Sequence, residues 1–371
     1  MRGTALRRSA LHGRPVAGAA GRPVAAVGLA LATVMLLGAC SGAASAGTGT
    51  PGPAAELRLG YFDNLTHAPA LVGLQQGFLA DALGDTTLNA QAFGAGPAAI
   101  EALSAGAIDA AYVGPSPAVN TFVQSAGQSA LIVAGATIGG AALVVRAGID
   151  SPADLAGTTL ASPQLGNTQD VALRAWLEGE GYDTSTTGGG DVTVAPTDSA
   201  RALALFHSGQ IDGAWLPEPW VSRLVLEADA TVLVDEADLW PGGDFPTTVL
   251  LVGAQFNRDH PDTVRALLTG HTASVAWLTE HPDEAADVIN TKLTADTGKP
   301  LSAAVIDRAL GGLRFSNDPL AGTFPTSLRE AVAVGTAKDG ALTGLFDLTL
   351  LNGVLAAAGG APISAAGLGT E

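Results

Sequence analysis

Residues 166–169 read Gly-Asn-Thr-Gln and open a run with helical spacing over 167–181. Asn167 or Thr168 can cap that helix while neighbouring N–H groups, Gln169 among them, stay free. Free N–H groups at the positive end of a helix dipole make an anion site. Plain N-capping, with no ligand, is the alternative. Residues 215–220, Trp-Leu-Pro-Glu-Pro-Trp, place two indoles and a carboxylate held between prolines at the end of an apolar run. Trp215 and Trp220 could wall a pocket, although core packing accounts for at least one of them. Glu218 could receive an ammonium or a hydroxyl. His67 follows the first apolar run and could donate to an anion. Residues 94–97, Gly-Ala-Gly-Pro, let a ligand approach the backbone, but they lack the third glycine of a dinucleotide fingerprint. Asp109 and Asp212 read as turn or cap residues, not as a catalytic pair.

Linear catalytic signatures are missing from the sequence. There is no His-Glu-x-x-His, no Gly-x-Ser-x-Gly and no P-loop. One cysteine in 371 residues excludes a disulfide framework and any multi-cysteine metal site. The histidines are scattered, so neither a metal nor a cofactor is expected. With 18 Lys+Arg against 35 Asp+Glu, the formal net charge of −17 argues against nucleic acid as a partner.

Period-2 and period-3.6 patterns alternate along the chain. Strands are expected at 57–62, 86–93, 107–114 and 129–137, with helices at 67–78, 97–106 and after 115. A second series starts at 141–148 and continues with strands at 158–164, 191–196, 210–216 and 231–239. Helices over 167–181 and 198–209 lie between them. Such alternation implies an α/β fold with mostly parallel sheets. Residues 247–256 lead out of this series into a mainly helical remainder. Residues 99–115 and 201–218 form a weak internal repeat, aligned through Gly106/Gly209, Ile108/Ile211 and Asp109/Asp212. One copy in each half suggests two similar lobes. The last residues, 359–371, show no periodicity and read as a disordered tail.

The N-terminal segment carries Arg2, Arg7, Arg8, Arg14 and Arg22 and no acidic residue before Glu56. An apolar run over 24–39 ends at Cys40. This is the pattern of a secretory signal over 1–39. Leu37-Gly38-Ala39-Cys40 resembles the bacterial lipobox, which implies a lipid on Cys40 and anchoring on the outer face of the cytoplasmic membrane. Residues 40–55, rich in small residues with Pro and Gly, read as a flexible tether.

A lipobox, two α/β lobes and a helical return resemble the solute-binding proteins of bacterial ABC importers. Four stretches, 57–78, 96–119, 151–177 and 211–220, are similar to the nitrate/sulfonate/taurine (aliphatic sulfonate) subfamily. The resemblance implies a periplasmic-binding-protein-like type II fold. Lobe 1 would be 56–143 plus 245–358, and lobe 2 would be 144–244, with a hinge and a ligand cleft between them. It implies a monomer that delivers a small oxyanion-bearing solute to a membrane permease and its ATPase, with no chemistry on the ligand. Lobe 1 would contribute Asn64, Thr66, His67, Ala95, Gly96 and Ser116. Lobe 2 would contribute Asn167, Thr168, Gln169, Trp215 and Glu218. No arginine lies in these loops, so neutral dipoles would hold the anion. Two other readings share the fold: a binder of a thiamine-precursor pyrimidine stacked on Trp215, and an exported enzyme or ligand sensor.

Overall fold

The computed structural model describes residues 52–371. The signal expected over 1–39 and the lipidated Cys40 lie outside the described residues, as do tether residues up to 51.

The chain builds two sheets in two passes. Strands β1 (Glu56–Phe62), β2 (Thr87–Phe93), β3 (Ala110–Val113) and β4 (Ala130–Gly139) belong to the first sheet. The chain then crosses over Gly140. Strands β5 (Ala141–Val145), β6 (Thr159–Ser162), β7 (Thr193–Pro196), β8 (Gly213–Pro217) and β9 (Thr231–Asp235) form the second sheet. It returns through β10 (Pro246–Gly253) to the first sheet, where β11 (Leu313–Phe315), β12 (Phe346–Asp347) and β13 (Gly369–Thr370) are added.

The two sheets share one plan. The first contains the order β4-β10-β3-β1-β2, and the second reads β9-β5-β8-β6-β7. Strand β10 stands in the first as β5 stands in the second. Both run antiparallel to their neighbours, whereas β1 with β2 and β3, and β6 with β7 and β8, are parallel. The sheets are therefore mixed, not mostly parallel. The physical reason is the crossing: β5 and β10 each enter from the other lobe, so no βαβ connection dictates their direction.

The internal repeat is built into this plan. Asp109 Oδ2 accepts the Arg58 N–H at 2.9 Å, and Asp212 Oδ2 accepts the Thr159 N–H at 2.9 Å. The Asp109 N–H donates to Arg58 O and the Asp212 N–H to Thr159 O, each at 2.8 Å. Each aspartate also meets an arginine, Arg58 or Arg146. Both are strand-pinning residues at equivalent places.

Burial follows strand alternation. On β5 and β8, Ala142, Val144, Ala214 and Leu216 pack on one face, and Leu143, Val145 and Trp215 on the other. Helices cover both faces, so the strands are apolar on both sides. The first-lobe core runs from Leu57 and Leu59 through Leu250 and Val252 to Phe324 and Phe346. Several helices start at a proline, such as Pro115–Gln124 and Pro261–Glu280, where its fixed φ and missing N–H cost nothing.

Two chain-end expectations change. Residues 52–55 are held down: the Ala54 N–H donates to Thr263 Oγ1 at 2.7 Å, and Thr86 Oγ1 donates to Ala54 O at 2.7 Å. The stretch expected to fray over 359–371 is ordered. Ala365 is fully buried, β13 pairs with β12, and the Ile363 N–H donates to Asn352 Oδ1 at 2.8 Å. Main-chain pairing holds this tail, and pairing leaves no periodic trace in a sequence this short. Deleting 361–371 is expected to lower the unfolding free energy by more than about 1 kcal/mol, roughly 2 °C or more in Tm. An unchanged Tm in a thermal melt would show that the tail does not dock.

Candidate functional site

Strands β1, β3, β6 and β8 end on a common cleft between the sheets. A cavity of about 20 Å³ lies there, lined from the first lobe by Phe62, Asn64, Thr66, His67, Gly94, Gly114 and Thr247. The second lobe adds Pro163, Asn167, Gln169, Ser199 and Pro217. None of these side chains carries a full charge. The space holds a water-sized group.

The neutral groups are oriented by bonds among themselves. His67 Nδ1 accepts the Phe62 N–H at 3.2 Å, and its ring stacks on Phe62 at 4.2 Å. Burial pushes the imidazole down to about 3, so it stays neutral. With Nδ1 accepting, the ring proton sits on Nε2, which makes His67 a donor without charge. Asn64 Oδ1 accepts from Thr66 Oγ1 at 2.6 Å, leaving the Asn64 amide NH₂ to donate elsewhere. Asn167 Nδ2 donates to Gln169 Oε1 at 3.3 Å, which leaves the Gln169 NH₂ free.

Helix Thr168–Gly179 begins at the cleft with Asn167 as its N-cap, and Asn167 makes no side-chain cap bond. Among the described residues the Thr168 and Gln169 N–H groups have no acceptor. They sit at the positive end of the helix. What fixes this loop is Asp170, which is fully buried. Its Oδ2 accepts the Gly166 N–H at 2.9 Å, and its Oδ1 accepts from Ser162 Oγ at 2.6 Å. Arg174 Nε donates to both oxygens at 3.1 and 3.2 Å, and Arg174 Nη1 donates to Ser185 O at 2.8 Å. Sequence reasoning missed this pair. Its signal was an Asp and an Arg four residues apart inside one helical run.

The lobes meet across the cleft. Thr168 Oγ1 accepts the Ser116 N–H at 3.3 Å. Gly114 permits that approach, because a Cβ there would stand 2.3 Å from Thr168 Oγ1. Gly96 does the same beside Pro117, where a Cβ would stand 2.3 Å from Cγ and 3.0 Å from Asn167 Oδ1. Beyond the cavity, and sharing Phe62, Asn64, Gly94 and Ser199 with it, opens a chamber of about 650 Å³. Trp220, Phe93, Leu293, Asp63, Asp198 and the Arg223–Glu227 pair line it.

The structure brings together Asn64, Thr66, His67, Asn167 and Gln169 as cavity lining. Thr168 and Ser116 close the cleft, and Ala95 and Gly96 sit behind it at the start of helix Gly96–Ser104. Trp215 and Glu218 do not line the cavity. Trp215 is fully buried in the second-lobe core and donates from Nε1 to Glu236 Oε2 at 2.8 Å. Strand alternation puts it on the core face. Glu218 turns toward the crossing, where both oxygens accept from Ser222 and Oε1 accepts from Arg308 Nη1 at 3.2 Å. Burial pushes its carboxyl up, and Ser222 and Arg308 oppose that. Thr247 and Ser199 are lining residues outside the expected set. Thr247 arrives on the return strand, far along the chain, so no local pattern marks it.

A family model described as the NMT1-like family matches residues 50–293. A Bacillus subtilis (strain 168) protein named for binding aliphatic sulfonates is 27% identical over 270 residues, 70% of this chain and 75% of that one. The taurine-binding periplasmic protein of Escherichia coli (strain K12) is 28% identical over 180 residues, 48% of this chain and 54% of its own length. The alkanesulfonate-binding protein of Xanthomonas axonopodis pv. citri, solved bound to MOPS, superposes with a TM-score of 0.65 at 23% identity. That likeness covers 77% of this chain and 95% of the other, and it shows the same two-lobed α/β fold.

Two expectations follow from the geometry. Asp170→Asn leaves Arg174 buried without its charge, so unfolding free energy by chemical denaturation is expected to fall by about 3–5 kcal/mol. A loss below about 1 kcal/mol would mean that the pair is not buried as described. His67 is held below its ordinary value, so the unfolded chain binds the extra proton between about 6.5 and 3. Its contribution to stability is fully present above pH 6.5 and is lost as pH falls toward 3. His67→Gln is expected to reduce that acid slope in melts between pH 4 and 6.5.

Proposed function

Because the chain belongs to the NMT1-like family, we propose that it is the solute-binding component of an ABC import system and takes a small organic solute bearing an oxyanion. The observation that carries this reading is the cavity of oriented neutral donors at a helix start. An anionic head of sulfonate type would accept from His67 Nε2, the Asn64 and Gln169 amides and the free N–H groups of Thr168 and Gln169. Such partners stabilise an anion without a counter-charge. The relatives named above are binding proteins, which supports delivery over catalysis. Lobe closure around the ligand would present both lobes to a membrane permease powered by its ATPase. Export, with a lipid on Cys40 as anchor, belongs to the same reading.

The chamber narrows the ligand class. Its charged lining is Asp63, Asp198, the Arg223–Glu227 pair and Lys299, so carboxylates outnumber cations. A second anionic group there would meet carboxylates. A neutral or ammonium-bearing tail, lying along Trp220, would not. Taurine and short alkanesulfonates match the chemistry of both parts; a sulfonate head is larger than the water-sized cavity, so the lobes would have to part to take it. The pyrimidine reading loses the ring it relied on, since Trp215 is in the core.

The test is calorimetry and thermal shift on the full chain with taurine, ethanesulfonate, ethane-1,2-disulfonate, nitrate and a thiamine-precursor pyrimidine. A ligand that binds only the native state raises Tm with concentration over Kd. Taurine or ethanesulfonate is expected to bind at least tenfold more tightly than the disulfonate, and Gln169→Ala to weaken it at least tenfold. Neutral His67 gives affinity no pH dependence between 5 and 8; Asp63, pushed up to about 6 by burial and by Asp296, should weaken binding of taurine's ammonium as pH falls through 6. Binding of the pyrimidine alone, or an affinity that rises as pH falls through 6.5, would overturn the neutral-oxyanion reading.

A further inference from the structure

Away from the cleft, helix Thr168–Gly179 of the second lobe packs on helix Phe324–Ala333 of the first. Val171, Ala331 and Val334 form that seam. Beside it lies a cavity of about 240 Å³ whose wall carries Trp176, Trp240, Glu236 and Glu330. Glu236 is only 2% exposed. Its Oε2 accepts from Trp215, and among the described residues neither glutamate is in an ion pair. Both indoles are held from behind. Trp176 packs at 5.9 Å against Trp215, and Trp240 stacks at 6.3 Å on Phe245.

A buried carboxylate with no cation either protonates or acquires one. Burial pushes the Glu236 carboxyl up to about 7; Glu330 and Asp235 add to the push, and the Trp215 and Trp240 indoles oppose it. Glu330 is also raised by burial, against Arg329. Arg329 is the cation beside this group, and its Nη2 donates to Thr326 Oγ1 at 3.0 Å. Indole faces next to carboxylates are the surroundings that a compact organic cation prefers.

We propose that this cavity is a second ligand site, for a small alkylammonium cation held by Glu236 and Glu330 between the indoles of Trp176 and Trp240. Glu330 comes from the first lobe, and the other three come from the second. An occupant therefore bridges the lobes and favours their contact. Through Glu236 it is also linked to the strand that serves the cleft. Trp215 bonds Glu236, and two residues further along β8 Pro217 lines the cleft cavity. Coupling through that strand would be reciprocal, so the cation would tighten cleft binding and the cleft ligand would tighten cation binding. The proposal does not depend on which solute fills the cleft.

The probe is ethylammonium chloride against sodium chloride at equal ionic strength, read on the full chain by thermal shift and calorimetry. Saturable binding is expected at pH 8, weakened severalfold at pH 5.5, where the Glu236 carboxyl, pushed up to about 7, holds a proton. The double variant Glu236→Gln, Glu330→Gln is expected to lose at least tenfold in ethylammonium affinity. Glu330→Gln alone, on the half-buried rim, carries the same test where the double variant does not fold. Gln169→Ala should leave ethylammonium binding unchanged. No saturable effect beyond sodium, or full binding in the glutamine variants, would overturn the site. Loss of binding in Gln169→Ala would place the cation in the cleft and overturn it equally.

Discussion

Both oxygens of Asp170 are committed inside the protein, to Ser162, Gly166 and Arg174, and none of the carboxylate reaches solvent. The pair fixes where residues 166–169 run, and with them the start of the helix whose N–H groups face the cleft. Its charges are balanced within the second lobe, so the cavity at the helix start stays free of fixed charge. That constraint has a use. A bare arginine in the cleft would be desolvated each time the lobes met without ligand, at a cost of several kcal/mol. Neutral dipoles cost far less in that state, so lobe contact stays accessible to the empty protein.

Neutral donors work only if they point the right way. Here each is turned by a second bond to another residue of the cavity lining. The Phe62 N–H fixes the His67 tautomer, Thr66 turns the Asn64 amide, and Asn167 turns Gln169. These are local bonds, between residues two to five apart. The orientation is thus written in short stretches of chain, and the two lobes need only be brought together for the donors to converge.

That locality explains what the sequence revealed. Asn64, Thr66, His67, Asn167 and Gln169 stood in polar stretches at strand ends, where ligands of α/β sheets gather. The repeat over 99–115 and 201–218 was legible too, because a glycine turn and a strand-pinning aspartate are local devices. What stayed hidden depended on distance or direction. Thr247 reaches the cleft only through the return crossing. The antiparallel setting of β5 and β10 depends on which lobe each strand comes from. Trp215 carried the signal of a binding residue, but its place on the pleat of β8 turns it to the core, and Glu218 was drawn to Arg308 from a helix about ninety residues later.

The repeat also shows how the lobes anchor the loops that line the cleft. Tyr112 on β3 and Trp215 on β8 hold equivalent places, and both are fully buried. Each ends on a buried titratable partner from outside its own repeat unit. Tyr112 Oη meets His271 Nδ1 at 2.9 Å, and Trp215 Nε1 meets Glu236 Oε2 at 2.8 Å. In each lobe the residue two positions further along, Gly114 or Pro217, lines the cleft cavity. A strand cannot shift along its axis without breaking the buried bond behind it, and an unsatisfied buried polar group is costly. The backbone at Gly114 and Pro217 is therefore held against its own lobe. Any movement of one lobe against the other would fall to the two crossings, near Gly140 and between β9 and β10, where one chain passes twice between two separately pinned sheets.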